Sequence, residues 1–172
     1  SSNSNSFTLT KGTAITPFSA GNSGGHVTSW ESSPNLPSGI TLNGTSGQIS
    51  GTPTSVTPST TYTITGSNTG GSATEVISIV VNDVAPSITY SPDSFILTKG
   101  TAMNSTTPSS TGGTVTSWEI SPELPAGLSL DSGNGEISGT PTSVTALDTY
   151  TITASNTGGS ITATVTITVN DV

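Results

Sequence analysis

Threonine or serine alternates with apolar residues along much of this chain, as in Thr61-Tyr62-Thr63-Ile64-Thr65 and Thr162-Ala163-Thr164-Val165-Thr166-Ile167-Thr168-Val169. A period of two puts the apolar side chains on one face, the pattern of a half-buried β-strand. No stretch carries apolar residues at helical spacing, and clusters of Gly, Pro, Asn and Ser recur too often for a long helix. The class is all-β. Strands are expected near residues 6–10, 27–32, 40–42, 48–50, 61–66 and 73–82, separated by Lys11-Gly12, Asn43-Gly44, Ser46-Gly47 and Asn68-Thr69-Gly70-Gly71, residues suited to turns. Six or seven short strands at this spacing predict a β-sandwich.

The whole pattern then returns. Residues 1–84 align with 89–172 without a gap, and about 48 of 84 positions are identical. Two domains of one fold follow, 1–84 and 85–172, each large enough for one modest core without a disulfide or metal. They meet at Asn82-Asp83-Val84-Ala85-Pro86-Ser87, where Pro86 fixes its own φ and holds Ala85 extended. Ser1 aligns with Thr89, so a shortened opening strand and an upstream neighbour are expected for the first copy.

Composition narrows the function. Two lysines, no arginine and ten carboxylates give a net charge of −8. That balance repels a phosphate backbone and anionic lipid alike, which excludes nucleic acid as a partner and disfavours membrane docking. With no cysteine there is neither a disulfide framework nor a thiolate metal site.

The run Leu36-Pro37-Ser38-Gly39-Ile40-Thr41-Leu42, followed by Gly47-Gln48-Ile49-Ser50-Gly51-Thr52-Pro53-Thr54, resembles the signature of the Putative Ig family of bacterial and archaeal surface proteins. The second copy repeats it as Leu124-Pro125-Ala126-Gly127-Leu128-Ser129-Leu130-Asp131 and Gly135-Glu136-Ile137-Ser138-Gly139-Thr140-Pro141-Thr142, with Tyr150-Thr151-Ile152-Thr153-Ala154 as the next strand. The family is similar to dystroglycan-type cadherin-like domains. The resemblance implies tandem Ig-like or cadherin-like sandwiches in an extracellular or cell-surface protein, with neighbouring repeats as partners. The joint Asn82-Asp83-Val84-Ala85-Pro86 also resembles the calcium-chelating link of cadherin repeats, with Val84 in place of the last Asn. Other cadherin ligand positions fall on Val80, on residues 52–55 and on Ser67-Asn68, so few of the oxygens that calcium needs are present.

Three charged positions recur in both copies: Lys11 with Lys99, Glu31 with Glu119, and Asp83 with Asp171. Strand parity turns Lys11 and Asp83 the same way, so they can form an ion pair at one pole of the sandwich. A second reading makes Glu31, Asp83 and Asp93 calcium ligands at the joint. A third is an isopeptide crosslink, in which a desolvated Lys11, and by repetition Lys99, attacks Asp83 or Asn82 while Glu31 moves the proton.

Trp30, Trp118, Tyr62 and Tyr150 read as core aromatics, and Tyr90 is expected to pack between modules. Asp131-Ser132-Gly133-Asn134-Gly135-Glu136 reads as a turn, because the first copy has Asn43-Gly44-Thr45-Ser46-Gly47-Gln48 there. His26 is the sole histidine and makes neither a zinc site nor a triad, and no glycosidase-type carboxylate pair recurs. No catalytic residue is assigned. The expected function is a stalk or adhesion module, an elongated monomer acting as a rigid spacer. The rivals are a carbohydrate-, ice- or protein-binding module, with Thr162, Thr164, Thr166 and Thr168 as an ice-type row, and an accessory domain of a secreted hydrolase.

Overall fold

Where polar and apolar residues alternate, the backbone is extended and pairs into long hairpins. In a computed structural model that describes residues 5–172, Thr61-Tyr62-Thr63-Ile64-Thr65 lies within β6 (Thr57–Asn68), which turns directly into β7 (Gly71–Asn82). Tyr62 and Ile64 face inward from β6, and Ile77, Ile79 and Val81 face inward from β7. Burying each such aliphatic side chain stabilises the fold by about 1.5–3 kcal/mol.

The chain divides into two units, Ser1–Asp83 and Val84–Val172. The first contains β1 (Asn5–Thr10), β2 (Phe18–Ser19), β3 (Ser29–Ser33), β4 (Ile40–Leu42), β5 (Gln48–Gly51), β6 and β7. Its strands form a four-stranded sheet ordered β1-β7-β6-β3 and a three-stranded sheet ordered β2-β5-β4. Between them lies a core of Ile40, Ile49, Tyr62, Ile64, Ile77, Ile79 and Val81, with Phe7, Leu9, Phe18 and Trp30 packed against it. β1 and β7 run parallel, while β6 pairs antiparallel with both β7 and β3.

The second unit comprises β8 (Pro86–Thr89), β9 (Ser94–Thr98), β10 (Ser109–Gly112), β11 (Ser117–Ser121), β12 (Leu128–Leu130), β13 (Ile137–Gly139), β14 (Thr145–Asn156) and β15 (Gly159–Asn170). Its four-stranded sheet, β11-β14-β15-β9, repeats that of the first unit, again with parallel pairing of the outer strand β9 on β15. β12 pairs with β13 as β4 pairs with β5, and the bridge Thr106↔Ile137 stands where Phe18 pairs with Ile49. β8 and β10 pair with each other and have no strand counterpart among the described residues of the first unit.

Residues 40–42 form a strand over the expected span, whereas β6 starts four residues before residue 61. The irregularity in register between Thr57 and Thr60 explains the second difference, because it interrupts the alternation that marks a strand in sequence. β14 has the same irregularity between Thr145 and Asp148.

Candidate functional site

Two of the three repeated charges, the lysine and the aspartate, meet at one pole of each unit. Lys11 follows the end of β1 and its amide donates to the carbonyl of Asn82 at 2.9 Å, which brings its side chain beside Asp83. Lys11 Nζ lies 3.7 Å from Asp83 Oδ1, with the lysine side chain 43% exposed and the aspartate 13%. The second unit repeats the arrangement: Lys99 donates from its amide to Asn170 O, and its Nζ is 4.0 Å from Asp171 Oδ1. This is the polar ion pair that strand parity predicts. A lysine nearly half exposed keeps its ammonium hydrated, which is the wrong environment for a neutral amine nucleophile.

Glu31 does not join that pole. On β3 it stands opposite Thr65, and Thr65 stands opposite Thr74 of β7, so Asp83 lies nine residues further along and two strands across. At about 3.3 Å per residue the two carboxylates are roughly 30 Å apart. The structure therefore does not bring Glu31 and Asp83 together, either around one ion or around a Lys11–Asp83 bond. Asp93, exposed just before β9, accepts a hydrogen bond from the Thr166 amide at its own carbonyl, 2.8 Å away. Among the described residues no three His, Cys, Asp or Glu side chains gather as metal ligands would.

The signature residues are occupied with packing. Gly39 has φ +88°, and a Cβ there would stand 2.0 Å from Thr52 O; Gly127 and Thr140 O repeat the geometry. That close crossing allows Thr52 to donate to Gly39 O at 3.0 Å and Thr54 to Ser38 O at 2.9 Å, and it tucks Pro53 inside. Only glycine fits such an approach of backbone on backbone. At Gly47, a Cβ would meet Trp30 Cε2 at 2.6 Å, and at Gly135 it would meet Trp118 Cζ3 at 2.6 Å. Both indoles pack against their cores, and Trp118 Nε1 is sealed without a hydrogen-bond partner.

Tyr90 belongs to the core of the second unit, which corrects its expected place between modules. Its Oη donates to Gly135 O at 2.5 Å, and burial pushes its pKa up to about 12. Burial also raises the pKa of Tyr150, with the charge of Asp148 adding to the effect. Asp131 Oδ1 accepts the amides of Gly133 and Asn134, so its loop is an Asx turn. His26 is exposed.

Hydroxyl side chains pair across strands on the outward face of the β6–β7 and β14–β15 hairpins. On the outer face of the second unit Thr149 opposes Thr166, Thr151 opposes Thr164, Thr153 opposes Thr162 and Ser155 opposes Ser160. The first unit pairs Thr61 with Ser78, Thr65 with Thr74 and Ser67 with Ser72, with Val76 opposite Thr63. The sequence showed rows along single strands; the register makes them ladders across strands.

A sandwich of these sheets, with its repeated Gly and Trp seats, is an immunoglobulin-like domain. The family described as "Putative Ig domain" matches residues 1–82 and again 85–170, and the chain belongs to that family. It is similar to the "Serine-rich adhesin for platelets" of Staphylococcus aureus, at 34% identity over 141 residues, covering 75% of this chain and 6% of the adhesin. The counterpart in a second strain is 33% identical over the same length and covered to 10%. The chain thus spans a tenth or less of these curated relatives. Among solved structures, the N-terminal eight Ig domains of Down Syndrome Cell Adhesion Molecule match 96% of this chain with TM-score 0.56 and 13% identity, over 25% of that chain. Extracellular domains 3–5 of Drosophila OTK match 96% with TM-score 0.53 and 14% identity, over 59% of that chain. Likeness at such identity is likeness of fold.

Proposed function

We propose that the chain is a non-enzymatic spacer and adhesion segment of a larger extracellular surface protein, carried among neighbouring repeats. The observation that carries this reading is the repetition of one framework whose fixed charge pair, Lys11–Asp83 or Lys99–Asp171, sits at the same pole each time. Membership of an Ig-type family and likeness to an adhesin support it. The signature glycines and tryptophans are used in packing, which leaves the hydroxyl faces as the surface open to a glycan or protein ligand.

Calcium stiffening of the joint is the finer form of this proposal. It rests on Asp83 and Asp93, since Glu31 lies on a distant part of its sheet. Small-angle scattering and thermal melting, each in calcium and in chelator, test the reading. A monomer with unchanged curves supports a passive spacer; a longer particle with a higher melting temperature in calcium supports the stiffened joint. Hydrolytic turnover by the purified chain would overturn the non-enzymatic reading.

A further inference from the structure

The outer strand β9 of the second unit is built unlike its counterpart in the first. It pairs with β15 on one side only, and Ile96 at its centre, opposite Thr168, is 77% exposed. The Thr166 amide donates to Asp93 O at 2.8 Å and the Lys99 amide to Asn170 O at 2.9 Å, so the odd-numbered residues bond to β15. In a parallel ladder the residues between them, Ser94, Ile96 and Thr98, aim their amides and carbonyls the other way. Thr98 O accepts the Thr101 amide at 3.1 Å; the other groups of this edge have no backbone partner among the described residues. Beside them lies an open groove of about 560 Å³, with residues 104–107 along its far wall.

Edge strands are ordinarily kept from further pairing by a charge or a proline within them. Ser94-Phe95-Ile96-Leu97-Thr98 has neither, and its charges stand just outside, Asp93 before and Lys99 after, each three residues from Ile96 and both exposed. The strand is therefore complementary to itself. Laid antiparallel on a second copy with Ile96 opposite Ile96, it sets Ser94 opposite Thr98 and Asp93 opposite Lys99, twice over. In that register the unused amides face carbonyls, the second lone pair of Thr98 O taking one of them. The first unit has Asn5 and Thr8 where the second has Asp93 and Ile96, so β1 has neither the apolar centre nor the acidic flank.

We propose that β9 is a homotypic docking edge, through which two copies of the chain pair about a two-fold axis and join their four-stranded sheets into one. A ladder of five residues a side belongs with small, transient interfaces of under about 1,200 Å². The dilute chain is then a monomer, and the contact forms at high concentration or where many copies crowd one surface. The pairing rests on β9 and not on the spacer reading.

Sedimentation equilibrium of the whole chain from about 10 µM to about 1 mM tests it, and the mean mass should climb toward that of two chains. Ile96→Lys, and the milder Ile96→Thr that copies the first unit, should each weaken association by about tenfold or more, with melting curves confirming that the variants are folded. Asp93→Lys alone and Lys99→Asp alone should also weaken it, since each sets like charges across the ladder. An equimolar mixture of those two variants should associate again, because opposite charges then face each other between unlike chains. A chain that stays monomeric at every concentration would overturn the proposal. So would association that survives Ile96→Lys, which would place the contact on another surface, or a mixture that fails to recover, which would contradict the register.

Discussion

Trp30 keeps the six-membered ring of its indole over Gly66, where an added Cβ would stand 3.0 Å from Cζ3. In the second unit that glycine is Ala154, fully buried, and the six-membered ring of Trp118 lies over Gly135 instead. One methyl group thus accompanies a reorientation of the indole on an otherwise repeated seat. Gly66→Ala should drive Trp30 toward the Trp118 arrangement, at about 1–2 kcal/mol for crowding a packed site. Near-ultraviolet circular dichroism and exchange of the Trp30 indole proton would report it.

Gly47→Ala should be far more damaging than Gly12→Ala. Both glycines have positive φ, +70° and +78°, so each substitution carries about 1–2 kcal/mol of backbone strain. Nothing lies within 4 Å of a Cβ at Gly12, whereas one at Gly47 collides with the Trp30 ring. Chemical denaturation of the two variants separates strain from collision, and equal losses would contradict the packing described.

Alkali should loosen the second unit through Tyr90. Its pKa rises from 10.0 to about 12 on folding, so the unfolded chain loses the proton first. Stability is therefore intact below pH 10 and falls as pH rises from 10 to about 12, by about 1–2 kcal/mol once solvent screening is allowed for. Tyr90→Phe should flatten most of that slope, leaving the smaller one due to Tyr150. Melting the second unit across the window checks it.

The Lys11–Asp83 pair should behave as a solvent-screened ion pair. Asp83→Asn is expected to cost less than about 1 kcal/mol, with the effect shrinking at high salt. The intact mass should equal that of the sequence; loss of one water would reveal an amide between the two side chains.

Depth within the sandwich, rather than hydrophobicity, should govern sensitivity to truncation. Ile152→Ala at a fully buried site is expected to cost about 2–5 kcal/mol, against about 0.5 kcal/mol or less for Ile96→Ala, 77% exposed on β9. Urea midpoints with unchanged slopes would establish the contrast.

The sequence revealed whatever depends on local periodicity. Alternation located β6, β7, β14 and β15, and parity alone brought Lys11 toward Asp83. It could not place Glu31, because parity gives a face but not a position across the sheet; that depends on the register Glu31↔Thr65↔Thr74. β2 has two residues and β10 is Ser-Ser-Thr-Gly, too short or too polar to carry a signal, and both are defined by distant partners. Tyr90 looked like a joint residue from its place in the chain. The pairing of β8 with β10 and the reach of its hydroxyl to Gly135 draw it inside instead.

The parallel pairing of β1 with β7 has a mechanical consequence. Asn5 stands opposite Ile77 and Thr10 opposite Asn82, so the chain enters the ladder at one end and leaves it at the other. Tension along the backbone of a unit loads the rungs in shear, all at once, whereas a hairpin pulled from its open end unzips one rung at a time. The second unit is strung the same way, from Ser94 opposite Thr166 to Thr98 opposite Asn170. Pulled along its backbone, each unit would oppose the load with the rungs of this parallel pair acting in concert.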